Sequence, residues 1–312
     1  MNARQMRTML LVLGIGWTGS VVAIDLDELR RAIEGPKQDK EQTERPAPEK
    51  DAAKDAGTNA PAPTEPKKKE KFDIGKVLSA VREISVEEEI EIGRQISGNL
   101  LGAAPLVADD KLQAYVNRVG RWIASQSGRS DLKWTFGVID SADINAFAAP
   151  GGYVFITKGL YARLQDEAQL AGVLAHEIAH VQEKHHLKVL QKQQLMSLGS
   201  DALSRKIKGE EVVQKLIGSG AEILARGLDK TAEFEADRVG VVLAARAGYD
   251  AFGLPAVLQD IGSNTKDAGS VALLFKTHPH PDERLSALGE AMGQRFDDVN
   301  GKALPKRLVR MP

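Results

Sequence analysis

The sequence predicts an α+β fold, mostly helical, with a small β-sheet in the first half of its folded part. Three observations carry this. Apolar residues recur at i, i+3, i+4 and i+7 through Leu112, Tyr115, Val116, Val119, Trp122 and Ile123, the pattern of one buried helix face. Two short apolar runs, "INAFA" and "YVFIT", flank Pro150-Gly151-Gly152, which reads as strand, turn, strand. Helix-start residues stand before the longer periodic segments: Ser85 with Glu88, and Asp166 with Gln169, both at capping-box spacing.

Taken in order, residues 1–23 read as a signal peptide. Arg4 and Arg7 precede an uncharged stretch from Thr8 to Ala23, and Val21 and Ala23 supply the small residues of a cleavage site. The stretch is shorter than the ~20 apolar residues of a membrane span. An uncleaved N-terminal anchor is the alternative, and either puts the rest of the chain outside the cytoplasm. With no cysteine near the cut, a lipid anchor has no attachment point. Residues 24–71 read as a tether: a short amphipathic helix, "IDLDELRRAIE", then a Pro-, Lys- and Glu-rich run that buries too little to offset its chain entropy. Lys67, Lys68 and Lys69 read as a solvated charge run, with peripheral contact to anionic lipid as the other option.

The folded domain is expected over 72–312. Ser85 opens a helix through "EEEIEIGRQISGNLL", and the striped helix of Leu112 to Ile123 follows. "KWTFGVI" is a strand, and the strand–turn–strand unit comes next. A long helix starts at Asp166 and runs through "EAQLAGVLAHEIAHVQEKHHLKVLQKQQL". Residues 208–226 are expected to be helical. Another helix covers "AEFEADRVGVVLAARA" and stops at Gly248, a natural C-terminal cap. A last helix follows "HPHPDERLSALGEAM". No internal repeat is seen after Met292, so no appended helical-repeat domain is expected.

Composition removes several chemistries. A net charge of −1 gives no basic field for nucleic acid. With 0 cysteines there is no thiol nucleophile and no thiolate ligand. A metal site in this chain must use histidine and carboxylate.

The stretch "HEIAH" supplies such residues. On a helix, His176 and His180 lie one turn apart on one face and can direct imidazole nitrogens at one ion. Glu177 is rotated by about 100° from His176 and can sit beside the ion, where a general base toward the attacking water belongs. The bland alternative is a helix with two surface or core-satisfied histidines. Leu170, Val173, Leu174, Ile178 and Val181 make this helix apolar on most sides, so its polar groups need a partner. A catalytic zinc needs three protein ligands and an open position. "TAEFEADRVG" offers Glu233 as the third, with Asp237 one turn on, able to accept a hydrogen bond from the free nitrogen of a ligand histidine. An acidic solvated face is the alternative there, and Glu235 is the residue expected to serve it. His185 and His186 are read as surface or packing residues, because an i+5 position is off the ligand face.

"NAFAAPGGYVFITKGL", "LAGVLAHEIAHVQEKH", "EFEADRVG" and "THPHPDERL" together resemble the gluzincin metallopeptidases of the CAAX-prenyl-protease superfamily, particularly their bacterial periplasmic branch. The resemblance covers roughly 85–290. It implies a zincin-like metallopeptidase domain with one Zn2+ per chain, His176, His180 and Glu233 as ligands, Glu177 as general base, and Asp237 orienting His176. It places the family's histidine before proline on His278, which in relatives either stabilises the transition state or blocks the zinc as a fourth ligand; His280 is a weaker candidate. The Ser-Arg pair that relatives often carry before the third ligand is replaced here by "RGLDKTAE", and no role is transferred to it.

The expected activity is hydrolysis of peptide bonds in unfolded or misassembled envelope proteins, outer-membrane proteins included, in the periplasm. Substrate backbone is expected to pair with a strand edge near the turn, with Gly151 and Gly152 permitting close approach. Two rivals remain open at this stage: an envelope chaperone or assembly factor with a latent, histidine-blocked zinc site, and a domain that zinc merely stabilises.

Overall fold

The computed structural model describes residues 83–202, 227–263, 271–278 and 281–311. The expected signal peptide, tether, helix over 208–226 and His280 lie outside the described residues. Within them the protein is mostly helical around one three-stranded mixed sheet.

Ser85 opens α1 (Val86–Ala103) as a complete capping box with Glu88. Asp109 caps α2 (Asp110–Ala124), whose buried face is the predicted stripe except for Trp122, which stays more than half exposed. Strand β1 (Thr135–Ile139) pairs in parallel with β3 (Tyr153–Thr157), and β3 pairs antiparallel with β2 (Ala146–Ala149), giving the order β1-β3-β2. The β2–β3 hairpin is the expected strand–turn–strand unit.

The sheet has one closed edge. Gln113 and Asn117, one turn apart on α2, act as a substitute strand beside β1. Gln113 Nε2 donates to Val138 O and its Oε1 accepts from Val138 N, at 3.0 and 2.9 Å. Asn117 does the same at Phe136, accepting from its N–H at 3.0 Å and donating to its carbonyl. Exposed strand edges recruit other chains unless covered. On β2 no described strand covers the outer side.

After the short α3 (Lys158–Arg163), Asp166 caps α4 (Glu167–Gln182) through Gln169 N. The reciprocal bond differs by one residue from a capping box: Gln169 Oε1 accepts from Gln165 N, not from Asp166 N. Residues 170–181 of α4 are all buried, so it is the central helix of the core. The long helix expected from Asp166 is in fact two. Glu183 ends α4, Lys184 takes φ 56°, and α5 (His185–Ala202) starts in a new direction. One left-handed residue suffices to break the helical path.

Asp229 caps α6 (Lys230–Arg246), which ends as expected before Gly248 at φ 87°. Helix α7 (Gly253–Ser263) has no counterpart in the sequence expectations; α8 (Ala272–Thr277) and α9 (Pro281–Met292) follow. Helix α6 crosses α4 at backbone contact: a Cβ on Gly240 would lie 2.9 Å from His176 N. Only glycine permits that approach, and it draws the α6 carboxylates toward the α4 histidines. Residues 303–309 return to α3 and the start of α4, where Tyr161 Oη donates to Val309 O at 2.6 Å and Ala168 N to Ala303 O at 3.0 Å. None of the described helices is long and apolar enough to cross a membrane.

Candidate metal centre

His176 and His180 sit on the same face of α4, with their Nε2 atoms 3.0 Å apart. Glu233 enters from α6, its oxygens 3.6 Å from His176 Nε2 and 3.5 Å from His180 Nε2. His278, at the C-terminal end of α8, brings Nδ1 to 3.5 Å from His176 Nε2 and 3.0 Å from Glu233 Oε2. All four are buried, and one ligand atom from each lies within 4.8 Å of the others. Ligands about 2.0–2.1 Å from a tetrahedral ion are separated by about 3.3 Å. The observed spacings fall on both sides of that length. Three imidazoles with one carboxylate suit zinc among divalent ions, and the residues present fit such an ion.

The protonation of His180 and Glu233 agrees. Burial, reinforced by the surrounding imidazoles, pushes His180 well below the usual histidine range, so it is neutral and keeps a lone pair. Burial opposes the charge of Glu233, but His278 and Arg284 outweigh it and hold the carboxyl at about 2. For His278, burial works downward, while the charge and hydrogen bond of Glu233 raise it to about 9, so its Nδ1 donates to Glu233 and becomes a ligand only by giving up that proton. His278 Nε2 donates to Ala146 O at 3.3 Å, which turns Nδ1 toward the cluster.

Glu177 is equally deep and differently placed. Its Oε1 is 3.6 Å from His278 Nε2, and its Oε2 has no hydrogen-bond partner among the described residues. Burial pushes its carboxyl up. A buried polar atom without a partner costs about 1–3 kcal/mol, which marks the place where a further group belongs.

Asp237 accepts from His176 Nδ1 at 2.9 Å, the contact expected of it. It does not do so alone. Arg284 of α9 holds it with two bonds, Nε to Oδ2 at 2.8 Å and Nη2 to Oδ1 at 2.6 Å, and is itself 3.5 Å from Glu233 Oε2. Burial disfavours the guanidinium, but the two carboxylates more than compensate and keep Arg284 charged. Sequence reading passed over Arg284. The signal was present: Arg284, Leu288 and Met292 share one buried stripe of α9, and a charge on such a stripe requires a partner.

His185 corrects an expectation, while His186 packs against the His180 ring as a packing residue would. Both are buried, and His185 Nδ1 is 2.9 Å from His180 Nδ1. The i+5 argument assumed one continuous helix, and the break at Lys184 folds His185 back toward the site. Glu235, expected on a solvated face, is half-exposed but lies 3.3 Å from His185 Nε2.

Gly151 and Gly152 also differ from expectation. Both are buried, with φ 77° and 91°. Gly151 N donates to Glu89 Oε1, and a Cβ there would lie 2.6 Å from Ile90 Cα; Gly152 packs on Trp134. The close approach these glycines permit is that of the protein's own α1. Glu89 is in turn held by Arg129 at 2.9 Å, in a buried ion pair. The strand edge nearest the donors is β2, through Ala146 O.

Comparison with known proteins gives a consistent picture. The family model described as Peptidase family M48 matches residues 110–292. The beta-barrel assembly-enhancing proteases of Yersinia pestis and Escherichia coli (strain K12) are each 30% identical over 223 residues, 69% of this chain and 45% of theirs. The mitochondrial metalloendopeptidase OMA1 of Schizosaccharomyces pombe is 31% identical over 178 residues, 56% of this chain and 52% of its own. The chain thus spans about half the length of the curated relatives it matches. All four clustered donors, Glu177, Asp237 and Arg284 fall inside the family match.

Proposed function

Because the chain belongs to peptidase family M48, we propose that it is a zinc-dependent endopeptidase acting on unfolded or misassembled cell-envelope proteins, including those of the outer membrane. The observation that supports this most is the pairing of four converging donors with a buried carboxylate oxygen that lacks a partner among the described residues. His176, His180 and Glu233 are the zinc ligands, and one ion is held per chain. Asp237 fixes the tautomer and direction of His176.

Bound zinc would supply Lewis-acid polarisation of the scissile carbonyl and acidify water. Glu177 receives the proton of the attacking water at its carboxylate. Its raised proton affinity helps, since a general base works best near the operating pH. The same carboxyl returns the proton to the leaving amine nitrogen. A ring N–H of His278 is the side-chain group assigned to face the developing oxyanion. Substrate backbone adds along the outer edge of β2, where no described strand pairs, a sequence-tolerant mode suited to unfolded chains. Export to the periplasm rests on the N-terminal stretch with Arg4, Arg7 and the small residues Val21 and Ala23.

A second reading draws on His278. As one of the four clustered donors, it would close the position that catalysis needs open if it gave up its Nδ1 proton and ligated. An envelope chaperone or assembly factor with a latent zinc site fits that resting geometry. Digestion of unfolded casein with and without a chelator separates the two. Chelator-sensitive cleavage, lost in Glu177→Gln with zinc retained, supports the peptidase. Chelator-insensitive holdase activity without cleavage supports the chaperone.

A further inference from the structure

We propose that His185 and Glu235 form a positioning chain that orients His180 toward the metal, the counterpart of what Asp237 does for His176. The proposal rests on the reading of His176, His180 and Glu233 as ligands. His180 Nε2 faces the cluster, 3.0 Å from His176 Nε2 and 3.5 Å from Glu233 Oε1. A neutral imidazole that offers Nε2 as a lone pair carries its proton on Nδ1. That Nδ1 is 2.9 Å from His185 Nδ1. Two ring nitrogens at this distance share one proton, so His185 Nδ1 accepts. The proton of neutral His185 then sits on Nε2, 3.3 Å from Glu235 Oε2, a carboxylate oxygen that can only accept when ionised. With His180 Nε2 given to the ion, every donor in the line meets an acceptor.

Three separate elements build the chain. His180 belongs to α4, His185 opens α5 after the left-handed Lys184, and Glu235 lies on α6 two residues past Glu233. Had α4 continued straight, His185 would face away from His180. The break therefore places the imidazole. The two α4 histidines end up with different supports. His176 leans on a buried aspartate held by Arg284, whereas the His180 line ends at a carboxylate whose side chain is 43% exposed.

Outer hydrogen bonds of this kind fix a ligand's tautomer and raise its basicity, and removing them weakens metal binding about tenfold to a hundredfold. The test measures zinc affinity of the full chain by chelator competition in the parent, His185→Leu, His185→Asn and Glu235→Ala. The thermal midpoints of the metal-free forms serve as a folding control. The chain predicts weakening of about tenfold or more in His185→Leu. It predicts near-parental affinity in His185→Asn, whose side-chain carbonyl accepts the same N–H. Glu235→Ala is expected to show a smaller loss, because that residue is half-solvated. Nitrogen NMR of the zinc-loaded parent reads the tautomer directly: His185 should carry its proton on Nε2. Equal affinities for the Leu and Asn variants overturn the proposal, as does a proton found on His185 Nδ1. If His185→Leu does not fold, the tautomer measurement decides alone. A parent that binds no zinc overturns the ligand reading together with this one; a parent that binds zinc while the variants do not differ overturns only the chain.

Discussion

Glu167 and Glu177 stand on the same helix, fewer than three turns apart, and both are almost completely inaccessible. Their surroundings are opposites. Glu167 has a partner for each oxygen: Tyr115 Oη donates to Oε2 at 2.8 Å, Tyr249 Oη to Oε1 at 2.9 Å, and Arg307 approaches Oε1 at 3.0 Å. Glu177 has one oxygen with no partner among the described residues and the other 3.6 Å from His278. Identical chemistry at equal depth therefore serves two purposes. A carboxylate whose hydrogen bonds are complete ties α2, the end of α6 and the C-terminal segment to the start of α4. One left incomplete costs stability and is ready to receive a proton from something that enters. Residue type and burial do not distinguish them; the completeness of the hydrogen bonding does.

The largest expected effect comes from exchanging the two carboxyls for amides. Glu177→Gln should lower peptidase kcat by about 10²–10⁴-fold, the usual worth of a general base, with zinc content and thermal midpoint kept or slightly improved. Glu167→Gln should leave kcat per folded molecule near the parent's and reduce stability by about 1–3 kcal/mol. If both variants lose activity in proportion to their stability, the contrast between the two sites is wrong.

Metal dependence comes next. Excess zinc at about a hundredfold its Kd should stabilise the parent by about 2.7 kcal/mol, seen as a rise in thermal midpoint, and Glu233→Ala should abolish the rise. A rise that survives in Glu233→Ala would place the ion elsewhere. At the other end of α4, Tyr115→Phe should cost about 1.5–3 kcal/mol, the range for a hydrogen bond to a charged group. It should not change zinc affinity, which chelator competition can check.

The smallest effect is a pH slope. Tyr115 and Tyr249 are pushed up, first by burial and then by the charge and hydrogen bond of Glu167, from an ordinary value of 10.0. Above that value the unfolded chain releases these protons while the folded chain keeps them. Their stabilisation is thus complete below about pH 10 and is lost as pH rises further. Denaturant titrations between pH 9 and 11 should show stability falling with pH, more gently in the Tyr115→Phe, Tyr249→Phe double variant. A parent with flat stability over this range would contradict the Glu167 account.

What the sequence made legible was whatever depends on local spacing. The caps at Ser85 and Asp166, the α2 stripe, the hairpin around Pro150, and the His176–His180 and Glu233–Asp237 pairs each lie within one or two helical turns or one turn of chain. What escaped depends on a single backbone angle or on residues brought together from distant elements. Lys184 at φ 56° redirects His185, and no composition signal marks a lysine there. Arg284 meets Asp237 from another helix, and Gly151 meets Ile90 from α1. Glycine in a turn signals close approach without saying what approaches, and here the neighbour is the protein's own helix.

The most direct test of the central claim is anomalous diffraction at the zinc edge on crystals of the metal-loaded Glu177→Gln protein. The account predicts a single peak about 2.0–2.2 Å from His176 Nε2, His180 Nε2 and a Glu233 oxygen. No peak there, or a Glu233 side chain turned away from the two imidazoles, would contradict it.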